Sequence, residues 1–234
     1  MEEQLNDLYN QLTNLNEVEG LRFLAAQFPD EIVFSTSFGL EDQAISHLIL
    51  ANDIPIKIFT LETGRLFSET YSVWESTNER YHTHIIPYYP KAQAIEKHVK
   101  DNGPMAFYRS VALRKECCHI RKVEPLTRAL KGNKVWVTGI RAEQSNARKD
   151  LPLLEWDDTY KLFKYNPLLH WTWQQTKDFI KTHNIPYNVL HDKGFVSIGC
   201  APCTRAIKEG EDFRAGRWWW ESNSKKECGL HEHK

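Results

Sequence analysis

Five cysteines carry the most specific chemistry in this chain of 234 residues. Cys117 and Cys118 are adjacent, Cys200 and Cys203 form a C-x-x-C pair, and Cys228 stands alone near the C-terminal end. Two pairs that are far apart in sequence predict a tetrathiolate metal site that the fold closes. The fifth thiol needs a separate role, for which we predict nucleophilic attack.

Four thiolates suit a 4Fe-4S cluster or a structural zinc ion, and their spacing does not choose between the two. Zinc sites more often use two C-x-x-C knuckles, which the consecutive Cys117 and Cys118 cannot form. Both could bind neighbouring irons of one cubane, because a cluster spreads its ligand positions. A disulfide framework fits poorly with the length and the odd number of cysteines. Two buried pairs without metal are the plainest alternative.

The surroundings of Cys228 favour its reactive form. Lys225, Lys226 and His231 stand close by in sequence, and positive charge stabilises a thiolate. Gly229 gives the chain local freedom, as expected of a residue that must reach both a substrate and an external reductant. The alternative is an exposed tail cysteine without a function.

Polar loops that follow predicted strands suggest an anion site. The first runs from a strand into a helix N-terminus, where backbone N–H groups and the helix dipole favour phosphate or sulfate. An ordinary capped turn explains this loop equally well. The candidate binding residues in this and later loops are Ser35, Ser37, Gly39, Glu41, Asp42, Gly64, Arg65, Arg141 and Arg148, with Lys122, Arg214 and Arg217 as further cations.

Alternating strands and helices must position these residues. Apolar spacing predicts two short helices within 4–27, then strands at 31–37, 56–61, 82–88, 134–140 and 160–169 and helices at 40–50, 66–80, 92–100, 117–130 and 172–183. This order indicates an α/β fold with a mostly parallel sheet flanked by helices and ligands at the carboxyl ends of the strands. We predict one domain over 1–205 and a mobile C-terminal arm over 206–234.

Composition limits the partners. A hydrophobic content of 41% supports a sizeable core, while a net charge of -1 and a pI near 6.8 argue against non-specific binding to nucleic acid or to membranes. The N-terminal segment resembles no signal peptide and no apolar run reaches membrane-spanning length, so we expect a cytoplasmic protein. Assembly as a homo-oligomer stays open.

Seven motifs together carry a family resemblance. In chain order they are SFGLED, LETGRLFSETY, CCHIRKVEPL, TGIRAEQSNAR, GCAPCTR, GEDFRAGRWWWE and KECGLH. From about residue 30 onward the chain resembles the assimilatory adenylyl-sulfate reductases of the phosphoadenylyl-sulfate reductase family. The double cysteine, the C-x-x-C pair and the terminal ECGLH are the most specific parts. Glu62 and Ser68 depart from the family, which more often has Asp and Pro there.

The resemblance implies an adenine nucleotide alpha-hydrolase-like (PP-loop) fold and a 4Fe-4S cluster on the four paired cysteines. It also implies reduction of adenylyl sulfate to sulfite and AMP, in sulfate assimilation toward cysteine. Lys122, Arg214 and Arg217 would hold the phosphosulfate, Cys228 would form an S-sulfocysteine, and thioredoxin or a similar dithiol would release sulfite. His231 would tune the thiolate or contact substrate.

On a regular helix Lys122 would share the face of Cys118 one turn later, and only one of Arg121 and Lys122 could then face inward. Three alternatives to the implied function are open. They are a phosphoadenylyl-sulfate reductase, against which the four paired cysteines argue; an adenylating enzyme with the same sheet, against which Phe38-Gly39-Leu40 argues; and a zinc-stabilised binding module with Trp218–Trp220 as its partner surface.

Overall fold

The computed structural model describes residues 2–145 and 148–221, in two compact units. The first unit contains the described residues of 2–60, 69–86 and 130–189, and the second contains 61–68, 87–129 and 190–221. The division into a domain over 1–205 and an arm over 206–234 stays a prediction, because 222–234 lie outside the described residues.

A six-stranded sheet has the order β3-β2-β1-β4-β6-β5. The pairs β1/β2, β1/β4 and β4/β6 are parallel, while β5 runs antiparallel to β6. The predicted mostly parallel α/β fold is therefore confirmed. The strands are β1 (Ile32–Thr36), β2 (Lys57–Leu61), β3 (Ile86–Tyr88), β4 (Val135–Val137), β5 (Leu154–Asp157) and β6 (Leu162–Tyr165).

One strand was missed by the sequence analysis. The chain forms a hairpin of β5 and β6 where a single strand over 160–169 was predicted. Lys161, with φ of 56°, lies in the left-handed region within the turn. Lys164 and Glu155 pair across the two strands with an Nζ–Oε1 distance of 2.9 Å. Charged residues therefore stand at positions where alternating apolar residues would have indicated two short strands in the sequence.

The helices follow the apolar spacing of the sequence. In the first unit α3 carries Gly39 at its N-cap and is buried along almost its whole length, within the main hydrophobic core. No helix in the described parts of the chain is long and apolar enough to cross a membrane. The helices are α1 (Glu2–Leu12), α2 (Glu17–Gln27), α3 (Leu40–Leu50), α4 (Ser68–Tyr81), α5 (Ala92–Asn102), α6 (Val111–Cys118), α7 (Glu124–Leu130) and α8 (Trp173–Thr182).

The helical region that carries the double cysteine starts earlier than predicted. It begins at Val111 rather than at residue 117, because the Ser110 hydroxyl accepts the Leu113 N–H at 3.2 Å and caps the first turn. Between α6 and α7 the chain forms a π-helical turn over His119–Val123. Such a turn widens the helix locally and changes the direction of the side chains that follow.

Candidate active site

The loop after β1 directs its polar groups at a carboxylate of the same chain. The Ser37 N–H and hydroxyl donate to Asp42 Oδ2 at 2.5 and 2.6 Å, while Ser35 Oγ accepts the Trp136 indole N–H at 2.8 Å. Phe38 has φ of 61° and stacks on Trp74 with a ring separation of 5.5 Å. The two Ser37 donors, which were predicted to bind an external anion, are thus engaged by Asp42.

Asp42 is a buried carboxyl group with a shifted affinity for protons. Burial raises the pKa of Asp42 to about 6; hydrogen bonds from Ser37 oppose this shift, and the charge of Glu41 adds to it. Gly139 approaches so closely that a Cβ there would lie 2.1 Å from Asp42 Oδ1. The Asp42 carboxyl group therefore fits beside residue 139 only because that residue is glycine and has no side chain.

We expect Asp42→Asn to alter the pH dependence of stability. A folded pKa above the ordinary value of 3.8 means that the contribution of Asp42 is full below pH 3.8 and is lost as pH rises through about 6. The melting temperature of Asp42→Asn minus that of the unmodified chain should rise between pH 4 and pH 7. Thermal unfolding at several pH values measures this, with the exposed Asp7→Asn as control. A difference that is constant with pH would contradict the raised pKa.

Arg141 is fully buried and held by carboxylates of the first unit. Its Nε lies 2.8 Å from Glu41 Oε1 and its Nη1 lies 2.7 Å from Glu143 Oε2. Arg148 donates to the side-chain oxygen of Gln144. Glu41, Arg141 and Arg148, which were predicted to bind substrate, are thus already engaged in contacts within the fold.

The four paired cysteines come together in the second unit. Cys117, Cys118, Cys200 and Cys203 are buried as free thiols in one cluster with Phe107 and Trp218. The Cys200 thiol donates to Thr63 Oγ1 at 3.3 Å. The fold has therefore brought together two pairs that are far apart in sequence.

Cations surround these thiols. Burial raises the pKa of Cys117, and the charges of Arg121 and Arg65 oppose this shift. Burial also raises the pKa of Cys203 to about 12; the neighbouring thiols add to the shift, and Lys122 and Arg217 oppose it. Arg121 is buried and Lys122 is half-buried, and the charges of both act on cysteines of the cluster. The expectation that only one of them faces inward stays a prediction. The π-helical turn that contains them changes the regular helical spacing on which that expectation relied.

The turn after β2 also contacts the cluster. Glu62 Oε1 accepts the Gly64 N–H at 2.6 Å, and Gly64 has φ of 69°. Arg121 donates to the Thr63 carbonyl and reaches the open side of Gly64. Arg65 places its guanidinium 4.8 Å from the centre of the Phe107 ring. Gly64 and Arg65, predicted to bind substrate, therefore lie beside the cysteines.

Two further predicted cations lie near Trp218. The guanidinium carbons of Arg217 and Arg214 are 4.8 and 5.9 Å from its ring centre. Gly199 allows the approach of Arg217, since a Cβ there would meet its guanidinium at 2.2 Å. Cys228 and His231, the predicted nucleophile and its neighbour, lie outside the described residues.

The residues of this cluster fit a 4Fe-4S group in their chemistry. Four buried cysteines, a largely apolar shell and nearby cations match the chemistry of a thiolate-ligated cluster with net negative charge. Within 2–145 and 148–221, no three His, Cys, Asp or Glu side chains are arranged to hold a single metal ion.

Two groups near the cysteines were missed by the sequence analysis. Arg114 and Glu221 form a buried ion pair in the second unit. Arg114 lies four residues before Cys118, a helical spacing that could have suggested a contact, whereas nothing in the sequence indicates Glu221 as its partner.

The sheet and its loops define an α/β protein of the PP-loop type. Similarity to an FMN adenylyltransferase of Candida glabrata supports the fold, with a TM-score of 0.55 and 17% identity over 97% of this chain and 78% of that one. A phosphoadenylyl-sulfate (PAPS) reductase from Candida auris, solved as a phosphate complex, is similar with a TM-score of 0.75 and 29% identity over 88% and 98% of the two chains.

Sequence comparisons give the family. The model of the phosphoadenosine phosphosulfate reductase domain matches residues 31–206. A protein named adenosine 5'-phosphosulfate reductase from Allochromatium vinosum is 52% identical over 86% of this chain and 79% of its own length. A protein of the same name from Burkholderia cepacia is 49% identical over 92% and 87% of the two chains. The chain belongs to the phosphoadenosine phosphosulfate reductase family.

Proposed function

We propose that this chain reduces adenylyl sulfate to sulfite and AMP. The observation that carries the proposal is the buried group of four cysteines, within a chain that is 45–52% identical to proteins named adenosine 5'-phosphosulfate reductase. The same chemistry would place the protein in sulfate assimilation toward cysteine.

Cys228 performs the first step of this proposal. Its thiolate attacks the sulfur of adenylyl sulfate, the bond from sulfur to the bridging oxygen breaks, and AMP leaves with that oxygen and its electron pair. The enzyme keeps an S-sulfocysteine on Cys228. Lys122, Arg214 and Arg217 hold the phosphosulfate and offset the charge that develops on the leaving phosphate. His231 favours the thiolate form of the nucleophile.

A dithiol protein such as thioredoxin performs the second step. One of its thiolates attacks the sulfur of Cys228, sulfite leaves, and a mixed disulfide forms. The second thiol of the reductant resolves this disulfide and restores the Cys228 thiol. Two electrons pass from the dithiol to the sulfur of the substrate, so no single-electron carrier is needed.

Cys117, Cys118, Cys200 and Cys203 would hold a 4Fe-4S cluster. When bound, it would supply a fixed negative charge that orients the surrounding cations. Lys122 and Arg217 both act on Cys203 and are both assigned to substrate, but Lys122 is only half-buried whereas Arg217 is buried. The Lys122 side chain can therefore interact electrostatically with both the cysteines and a bound anion.

Phosphoadenylyl sulfate is the second candidate substrate, favoured by the similarity to the Candida auris reductase. Turnover measured with each nucleotide in turn distinguishes the two. We expect a clear preference for adenylyl sulfate, and a preference for the phosphorylated nucleotide would replace our assignment of the substrate.

Metal analysis of protein purified anaerobically tests the cofactor. We expect about four iron and four acid-labile sulfide per chain, and loss of most of both in Cys203→Ser, because that variant lacks one of the four thiolates. Lys100→Ala, which alters an exposed residue on α5 of the same unit, serves as the control. One zinc per chain without sulfide would refute the cluster and favour a zinc-stabilised binding module.

A further inference from the structure

A buried ion pair links α6 to the last described residue of the chain. Arg114 is 1% exposed, and its Nε and Nη2 each lie 2.9 Å from one carboxylate oxygen of Glu221. This two-pronged geometry is among the most directional contacts that charged side chains form. It therefore fixes the position of Glu221 with respect to α6.

Arg114 also contacts a cysteine of the cluster. The Arg114 guanidinium donates hydrogen bonds to the Cys118 sulfur as well as to the Glu221 carboxylate. Arg114 precedes Cys118 by one helical turn on α6, so the two side chains extend from the same face. One buried guanidinium thus contacts a predicted cluster ligand and Glu221.

The segment before Glu221 is attached to the second pair of cysteines as well. The Trp218 backbone N–H donates to the Cys203 carbonyl at 3.2 Å. The Glu221 backbone N–H in turn donates to the Trp218 carbonyl at 2.9 Å. The Arg114 guanidinium lies 4.7 Å from the centre of the Trp218 ring. Both cysteine pairs are therefore in contact with the segment that leads to Cys228.

We propose that Arg114 is a positioning residue that couples the cysteine cluster to the start of the segment carrying Cys228. The inference rests on the proposed function, in which Cys228 is the nucleophile. Cys228 lies seven positions after Glu221, so the two α-carbons cannot lie more than about 25 Å apart. Fixing Glu221 confines the region that the nucleophile can reach and raises its effective concentration at the substrate.

Coupling to the cluster follows from the contacts of the same segment. The Trp218 N–H donates to the Cys203 carbonyl, and the Trp218 ring packs on Arg114, which lies one helical turn before Cys118. A cluster bound to both cysteine pairs would hold these contacts in one arrangement. Its removal should therefore loosen the position of Glu221.

Glu221→Gln tests the positioning role, since it removes the charge and keeps the shape of the side chain. The control is Glu211→Gln, which alters an ion pair of the same type with Arg205 at 2.8 and 3.0 Å. We expect Glu221→Gln to form the Cys228 adduct about tenfold more slowly in a single turnover, with KM and iron content unchanged. Trypsin should cut after Lys225 or Lys226 about tenfold faster, and Glu211→Gln should match the unmodified chain in both assays.

Removal of iron with a chelator tests the coupling itself. Tryptic cleavage after Lys225 or Lys226 should become faster in the unmodified chain and stay unchanged in Glu221→Gln. Unaltered adduct formation and cleavage in Glu221→Gln would overturn the inference, and loss of its iron would assign the pair to holding the cluster instead. Failure of the unmodified chain to form any adduct on Cys228 would refute the proposed function. The rates of tryptic cleavage would still test whether Arg114 and the cluster fix the position of Glu221.

Discussion

Cys228→Ser is expected to abolish sulfite formation, with turnover lower by roughly three orders of magnitude or more. A serine hydroxyl stays protonated near neutral pH, whereas a thiol flanked by lysines yields the thiolate that attacks sulfur. Incubation with adenylyl sulfate followed by mass spectrometry of the intact protein should show an added sulfonate group on the unmodified chain and none on Cys228→Ser.

Peptide mapping must place the adduct on Cys228 for this interpretation to hold. His233→Gln is the matched control, because this histidine is close in sequence and has no assigned role. It should retain both adduct and turnover. An adduct that persists in Cys228→Ser and maps to another cysteine would refute the assignment of the nucleophile.

Lys122→Ala is expected to lower kcat/KM for adenylyl sulfate by about a hundredfold, as is typical when one group that stabilises developing charge is removed. Lys122 is half-buried, its charge acts on Cys203, and it is proposed to contact the phosphosulfate. Iron and sulfide content should be unchanged, because the four cysteines remain. Lys122→Arg, which keeps the charge, should recover part of the activity.

Lys115→Ala provides the control for this experiment. Lys115 is exposed on α6, three residues before Cys118, and its removal should leave turnover within twofold of that of the unmodified chain. Equal turnover of Lys122→Ala and the unmodified chain would remove Lys122 from the mechanism. A joint loss of iron and turnover would show that the lysine supports the cluster rather than the substrate.

Contacts within the fold occupy the donors of the loop after β1 that were expected to bind an anion. Its hydroxyls and helix N-terminus resemble an anion site, yet Asp42 already accepts hydrogen bonds from Ser37, and Arg141 is fully buried against Glu41. A phosphate that used these donors would have to displace a carboxylate with a pKa of about 6. Binding of an anion at this loop should therefore be easier when Asp42 is protonated.

The sequence alone determined much of this protein. Apolar spacing predicted the helices at 40–50 and 172–183 to within a residue, because a helix that buries one face must repeat its apolar residues with the helical period. Alternation of strands and helices predicted the parallel sheet, since short parallel strands require such crossovers. The cysteine pattern and the accompanying motifs indicated the family, because they combine several rare features in a fixed order.

Tertiary structure alone decided which charged groups meet. The pairing of Arg114 with Glu221 and of Arg141 with Glu41 joins residues about a hundred positions apart, and no local periodicity marks such partners. Arg121 and Lys122 lie in a π-helical turn near the cysteines, and the β5–β6 hairpin pairs Lys164 with Glu155 across its strands. Local spacing reports how a segment buries its apolar face, whereas the partner of a buried charge is chosen only when distant segments pack together.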